Sequence, residues 1–292
     1  MKASNTNIIY IMGAGRSGTT ALATFLGNNN EIENIGEMHQ FFEYLDGNKE
    51  CSCGKSLNEC NFWRNKIDFP IQNFSKNIRQ LSEKMESHSG IIKHILSSFS
   101  KIEYEQYIAL HQLILDSIQS DTKKSIVLDS SKYLGRVLAL NKLDNIELKI
   151  IYVVRDVRGV INSFSKKVQT SKSPLSTIVY YMLVNLVAEF ISRFILRKKV
   201  IKIRYEDLIN NPNSLFDRLE GFLNLNLKDI KDKIGKQKSF EIGHIIGGNR
   251  LKKNKEIYYT KDVSWEKKFN WVERSIYYIL AAPIMILNRY KF

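Results

Sequence analysis

A chain of 292 residues with 43% hydrophobic content can bury a substantial core, and its length suits one large domain or two small ones. Forty-four Lys and Arg against 30 Asp and Glu leave a net charge of +14, which favours an anionic partner such as a nucleotide, an acidic polymer or a membrane surface. The basic residues are spread out and no basic stripe interleaved with aromatics appears, so no nucleic-acid partner is expected.

In chain order, the short apolar run Asn7–Met12 reads as a buried strand that meets glycines at once and gives way to a helical stretch over Thr19–Gly27. Only six mostly polar residues precede the strand, which predicts no leader peptide and a cytoplasmic protein. A second strand is expected near Ile32–Glu37, followed by a loop containing Cys and Gly through Trp63. From Phe74 to Ser120 apolar residues recur at spacings of three to four, which predicts helices inserted between strands. Strand patterns return at Ser125–Leu128, Leu148–Val154 and Val200–Ile203, each followed by a polar turn and a helical stretch. This alternation predicts an α/β fold, a P-loop-like three-layer α/β/α arrangement around a central parallel sheet, as a single domain over residues 1–292 with a helical insertion at about 74–120.

Two stretches imitate membrane segments. In Ser176–Leu196 the polar residues Asn185, Glu189 and Arg193 recur at spacing four on one stripe, which predicts a core helix that lines a cleft or pairs its charges, and no transmembrane span. Ser275–Leu287 is shorter and interrupted by Pro283, as a docked terminal helix would be.

The strongest local signal is Gly13-Ala14-Gly15-Arg16-Ser17-Gly18-Thr19-Thr20, a glycine-rich turn that feeds a helix N-terminus. Glycines let backbone amides approach a phosphate, and the helix dipole adds attraction. The loop fits two patterns: the dinucleotide fingerprint G-x-G-x-x-G, with Glu37 near the place of a ribose-binding acid, and a P-loop without its lysine. Arg16 inside the loop argues against a nicotinamide enzyme. Thr19 in the lysine's place argues against a nucleoside-triphosphate enzyme. A second strand-loop-helix follows in Ile150–Phe164, where Arg155 ends the strand and Ser163 lies eight residues on, a cationic fork and a hydroxyl suited to one phosphate.

Taken together, the sequence resembles the PAPS-dependent sulfotransferase family in its bacterial and Golgi-type branch, PAPS being 3'-phosphoadenosine 5'-phosphosulfate. The resemblance is carried by GxGRSGTT at Gly13–Thr20 and VVRDVRGVINSF at Val153–Phe164, and by GE at Gly36–Glu37. CxCG with a later CxFW at Cys51–Trp63, DSSK at Asp129–Lys132, RYEDL at Arg204–Leu208 and GGNR at Gly247–Arg250 extend it over most of the chain. It implies that Gly15, Arg16, Ser17, Gly18, Thr19 and Thr20 hold the 5'-phosphosulfate. Arg155 and Ser163 would hold the 3'-phosphate, with the Gly247–Arg250 loop closing over the nucleotide and Asn249 and Arg250 touching that phosphate. It further implies an enzyme that releases the product PAP, with Glu37 as general base, Arg16 and Lys132 as cations on the reacting sulfuryl group, and no metal. His39, two positions from Glu37, is the rival base.

The implied acceptor is a hydroxyl of a saccharide, lipid, peptide or small molecule, with the 74–120 insertion and the Asn185/Glu189/Arg193 stripe as candidate walls. Competing readings are a phosphotransferase, which needs Mg²⁺ and a P-loop lysine, a non-catalytic PAP-binding protein and a nicotinamide dehydrogenase. Cys51, Cys53 and Cys60 are too few for a disulfide framework, and their spacing is not a four-ligand zinc pattern, so a compact loop of buried thiols packed by Trp63 is expected. In RYEDL, Arg204, Glu206 and Asp207 are expected to fasten a strand end to the helix that follows.

Overall fold

A computed structural model of the chain describes residues 6–67, 75–120, 122, 124–143, 145–166, 171–248 and 250–292, with Arg250 described in its backbone only. Besides a short antiparallel pair, β6 (Phe240–Glu241) and β7 (Glu256–Ile257), its strands are β1 (Thr6–Met12), β2 (Ile32–Gly36), β3 (Ile126–Lys132), β4 (Ile146–Val154) and β5 (Val200–Arg204). Strands β1 to β5 form one parallel sheet in the order β2-β3-β1-β4-β5 with helices flanking it, the α/β architecture that the alternating pattern predicts. The two most continuously apolar runs, β1 and β4, are neighbours inside the sheet, where both faces of a strand are covered.

The chain divides into two compact units. The first comprises Met1–Ile11, Thr20–Ile150 and Ser239–Ile257, and the second Met12–Thr19, Ile151–Lys238 and Tyr258–Phe292.

In the first unit, helix α1 (Thr19–Gly27) follows the glycine-rich loop. A short helix α2 (Phe41–Asp46) occupies part of the segment expected to be a loop, because Phe41, Phe42 and Tyr44 give it a buried face. The insertion is helical as expected: α3 (Lys76–Glu86), α4 (His88–Ile95) and α5 (Lys101–Ser120). Ser75 and Ser87 cap α3 and α4 by accepting from the amides of Ile78 and Gly90.

All three inserted helices pack against α6 (Leu134–Leu140). Strand β3 runs to Lys132, four residues beyond the end expected from its apolar pattern, because DSSK stays extended. Asp129 pairs with Gly36 across the ladder, and its Oδ1 accepts from the Ser131 amide at 2.9 Å.

In the second unit, α7 (Val157–Ser165) starts at Asp156, whose carboxylate accepts from the Arg158 amide. Helix α8 (Pro174–Phe190) is capped by Ser173, begins on proline and continues into a π-helical turn at Ile191–Ile195. Together they are long and apolar enough to cross a membrane, judged by length and composition alone, and part of the stretch is buried inside the protein.

The polar stripe expected here is spent inside the unit. Asn185 accepts from the Tyr152 hydroxyl at 2.9 Å, and Glu189 pairs with Lys202 at 2.9 Å and Arg193 at 3.3 Å. Leu175, Val179, Leu183 and Phe190 of the same helix are exposed. After β5 come α9 (Tyr205–Asn210), α10 (Pro212–Leu223), α11 (Lys228–Gly235), α12 (Trp265–Lys268), α13 (Trp271–Leu280) and α14 (Ala282–Leu287).

Candidate active site

The candidate anion-binding loop of the second unit is built around two arginines, Arg155 and Arg16. Arg155 sits where β4 ends, and the Tyr181 hydroxyl fixes its carbonyl at 2.9 Å. Its guanidinium is 5% exposed, lies 4.0 Å over the Tyr205 ring and donates at 3.1 Å to the Arg16 carbonyl. Asp262 accepts from the other end of the fork at 3.5 Å, and its own carboxyl is held near 2. Burial opposes that shift, but the Ser264 hydrogen bond and the Arg155 charge outweigh it. Gly159, one turn into α7, is what lets the fork lie there, since a Cβ at that position would stand 2.8 Å from Arg155 Nε. The second arginine of the motif, Arg158, is structural. It pairs with Asp156 at 2.6 Å and donates to the Lys291 carbonyl at 2.9 Å.

Arg16 adopts a left-handed backbone (φ 70°), an uncommon conformation for a residue with a Cβ that tends to gather at functional sites. Its Nε donates to Ser163 Oγ at 3.1 Å, so a residue assigned to the 5'-phosphosulfate and one assigned to the 3'-phosphate are in direct contact. The Gly15 amide donates to the Tyr180 hydroxyl at 2.8 Å, a partner the motif does not reveal. Ser17 is fully buried, and its Oγ has no hydrogen-bond partner among the described residues. A buried hydroxyl at the mouth of a helix, where four amides have no partner within the helix, is shaped for an anion's oxygens. Thr19 and Thr20, also buried, open that helix.

The first unit carries the candidate base. Glu37 follows β2 directly, is 7% exposed, and is pinned through its backbone by an amide bond of 2.7 Å to the Ile246 carbonyl. Gly36 just before it takes φ 81°, and a Cβ there would come within 2.2 Å of that same carbonyl. The carboxylate is ion-paired with Lys132 and accepts from Gln40 Nε2 at 3.0 Å. Lys132 itself has φ 72°, the same left-handed conformation as Arg16.

Behind Lys132 lies a buried ionic network. Arg136 donates to Asp129 at 2.7 Å and pairs with Glu86 of α3, which also accepts from Tyr107 at 2.9 Å and lies 3.1 Å from His111. Burial pushes the Glu86 carboxyl up, yet Arg136 and His111 hold it near 2.

His39 is placed differently from the way a base would be. Burial, aided by Lys132 and Arg136, lowers its pKa to about 3, its ring packs on Tyr133 at 4.1 Å, and Nδ1 is buried without a partner among the described residues. An imidazole that weakly basic accepts a proton poorly at neutral pH.

The residues singled out in the sequence, Arg16, Glu37, Lys132, Arg155 and Ser163, stand among groups that the motifs do not reveal: Tyr180, Tyr205, Asp262, Glu86 and Arg136. Tyr205 lies inside RYEDL, whose other members do fasten the strand end: Arg204 pairs with Asp207 at 2.6 Å, and Glu206 accepts from the Asp156 amide at 3.1 Å. Asn249 and the Arg250 side chain lie outside the described residues.

No curated protein matches the chain in sequence. Among solved structures it is similar to the sulfotransferase domain from the curacin biosynthetic pathway, at 18% identity over 99% of this chain and 100% of that one, with a TM-score of 0.54. It is also similar to sulfotransferase STF9 from Mycobacterium avium, at 10% identity over 99% of this chain and 78% of that one, with a TM-score of 0.50. At these identities the likeness establishes the fold. The sequence model described as the sulfotransferase family matches residues 8–229, about three quarters of the chain. The chain therefore belongs to the sulfotransferase family and is a PAPS-dependent sulfotransferase.

Proposed function

We propose that the chain moves the sulfuryl group of PAPS to an acceptor hydroxyl in a single in-line displacement, with Glu37 as the base. The observation that carries the donor assignment is the orphaned, buried Ser17 hydroxyl between Arg16 and the N-terminus of α1. On this reading Gly18, Thr19 and Thr20 bind the 5'-phosphosulfate with Arg16 and Ser17. Arg155 and Ser163 bind the 3'-phosphate, joined by Asn249 and Arg250.

In the transfer, the acceptor oxygen forms a bond to sulfur while the bond from sulfur to the bridging phosphate oxygen breaks. The acceptor's proton passes to the Glu37 carboxylate, and the electron pair leaves with PAP. Negative charge grows on the leaving oxygen and is offset by Arg16 and Lys132. Glu37 and Lys132 are ion-paired here, so the lysine must turn from the carboxylate to the sulfuryl oxygens as the reaction begins.

The donor half is tested by thermal shift. PAP should raise the melting temperature, with smaller shifts from ATP and NAD. Equal shifts from all three would point to a generic phosphate site and overturn the donor assignment. The transfer is tested by a radiolabelled-donor screen over saccharide, lipid, peptide and small-alcohol acceptors, with Glu37→Gln as control. ATP hydrolysis that depends on Mg²⁺ would instead support the phosphotransferase reading.

A further inference from the structure

Cys51, Cys53 and Cys60 supply only three ligands from one stretch of chain, at a spacing that by itself argues against a metal. The fold brings a fourth from nearly two hundred residues away. The Nδ1 of His244 lies 3.2 Å from Cys60 Sγ and 4.0 Å from Cys51 Sγ. Cys60 Sγ in turn stands 3.8 Å from Cys51 Sγ and 3.6 Å from Cys53 Sγ, and all four ligand atoms fall within 4.8 Å of one another.

We propose that these four residues form a structural zinc site. In a tetrahedron with Zn–S bonds of about 2.3 Å and a Zn–N bond of about 2.0 Å, neighbouring ligand atoms stand roughly 3.5 to 3.8 Å apart. The measured separations bracket that value. A disulfide accounts for them less well, because its sulfurs lie about 2.05 Å apart and three cysteines leave one unpaired. Three thiolates and an imidazole are a soft, closed set that suits Zn²⁺ and leaves no position for substrate, which makes the role structural rather than catalytic.

The surroundings are built for such a knot. Ser52 of the Cys-x-Cys turn exchanges two hydrogen bonds with Ile245, its amide donating to the carbonyl at 3.2 Å and its Oγ accepting from the amide at 2.9 Å. Trp63 Nε1 donates to the His244 carbonyl at 2.9 Å, and the Phe62 ring stacks on the imidazole at 5.6 Å with the planes 6° apart. These contacts orient the ligands in the manner of a second coordination shell.

The site has a purpose in the fold. Two residues after His244, Ile246 gives its carbonyl to the Glu37 amide and its amide to the Ile35 carbonyl at 3.1 Å. Zinc would tie the cysteine loop to the strand segment that holds the candidate base, and so would hold Glu37 in position from behind.

The test needs no sulfuryl donor or acceptor, so its outcome is separate from that of the proposed function. The full chain is purified without a polyhistidine tag under reducing conditions, and its metal is measured by inductively coupled plasma mass spectrometry. About one zinc per chain is expected in the wild type and less than about a tenth of that in Cys60→Ser. Reconstitution with Co²⁺ should give the ligand-field absorption of a tetrahedral thiolate site in the wild type and in His244→Cys. Removing zinc with a chelator should lower the melting temperature by more than about 5 °C, restored by added Zn²⁺. A reduced wild type that holds no zinc and takes up neither metal overturns the proposal, as does full zinc occupancy retained in Cys60→Ser. Because the wild-type measurement stands alone, a Cys60→Ser variant that fails to fold does not spare the proposal.

Discussion

The carboxylate of Glu37 is ion-paired with the ammonium of Lys132, although one directly follows β2 and the other ends β3, 95 positions later. Adjacent parallel strands deliver the two side chains to the same edge of the sheet, and the left-handed backbone at Lys132 turns the lysine into the pair. If Glu37 takes the acceptor's proton, Glu37→Gln should lower kcat by about 10²- to 10⁴-fold, the usual worth of a positioned general base. The dissociation constant for PAP should stay within about twofold, because on this reading the glutamate does not touch the nucleotide. Steady-state kinetics together with calorimetric titration separate the two quantities. A variant with wild-type kcat removes Glu37 from the mechanism.

Arg155 is gripped by Tyr205, Asp262 and the Arg16 carbonyl, which preorganises its fork before any ligand arrives. Arg155→Ala should weaken PAP binding by about 10- to 100-fold, as expected from losing charge-assisted hydrogen bonds worth about 1.5–3 kcal/mol. Arg155→Lys should recover little of that loss, since a lysine cannot reproduce the planar fork or the stack on Tyr205. Calorimetric titration with PAP provides the measurement, and equal affinity in the lysine variant would show that only charge matters.

Much of the architecture was legible because it rests on local patterns. Strand-like runs marked the five strands of the parallel sheet, though not the short pair at Phe240–Glu241 and Glu256–Ile257, and apolar residues at helical spacing, such as Ile91 and Ile95, marked the inserted helices. Arg16 and Arg155 stand out in the sequence because each sits inside a short motif that contains glycine. What escaped was produced by long-range meeting of side chains. His244 joins three cysteines, Glu86 of the insertion meets Arg136 behind the DSSK motif, and Tyr180 reaches the Gly15 amide, and no spacing in the sequence encodes any of these encounters. Of the two readings of the α8 stripe, lining a cleft or pairing charges, the ion pairs of Glu189 with Lys202 and Arg193 fit the second. The exposed apolar residues of that helix were hidden by composition, because buried and exposed leucines look the same in a sequence.

The network of Glu86, Arg136 and Asp129 is nearly solvent-free, so removing one partner strands the others. Arg136→Met should destabilise the protein by about 3–5 kcal/mol, the range for breaking a buried ion pair from one side. Urea unfolding followed by far-UV circular dichroism gives the number. A loss below about 1 kcal/mol would mean that water reaches the site and replaces the missing charge.

We expect residues 1–292 to unfold as a single domain. The division between the two compact units falls inside β1, between Ile11 and Met12, and inside β4, between Ile150 and Ile151. A boundary that cuts hydrogen-bonded strands is a poor place for independent melting. Scanning calorimetry should therefore show one transition whose calorimetric and van't Hoff enthalpies agree, and two resolved transitions would separate the units.

Acid should weaken the fold from two directions at once. Burial lowers the pKa of His39, His94 and His111 below the ordinary value of 6.5, so the unfolded chain binds protons there more readily than the folded one. The stability these groups contribute is fully present above about pH 6.5 and is lost as the pH falls toward their folded values. Glu86 follows the same sign at lower pH. Its folded value near 2 lies below the ordinary 4.5, so its contribution is present above about pH 4.5 and disappears as the pH drops toward 2. The melting temperature should hold level above pH 7, decline from about pH 6.5, and fall more steeply below about 4.5. The Arg136→Met variant should lose most of the steeper limb, because without the guanidinium Glu86 is no longer held far below its unfolded value. Melting curves of both proteins between pH 3 and 8 provide the comparison, and an unchanged acid limb in the variant would assign that limb to other carboxylates.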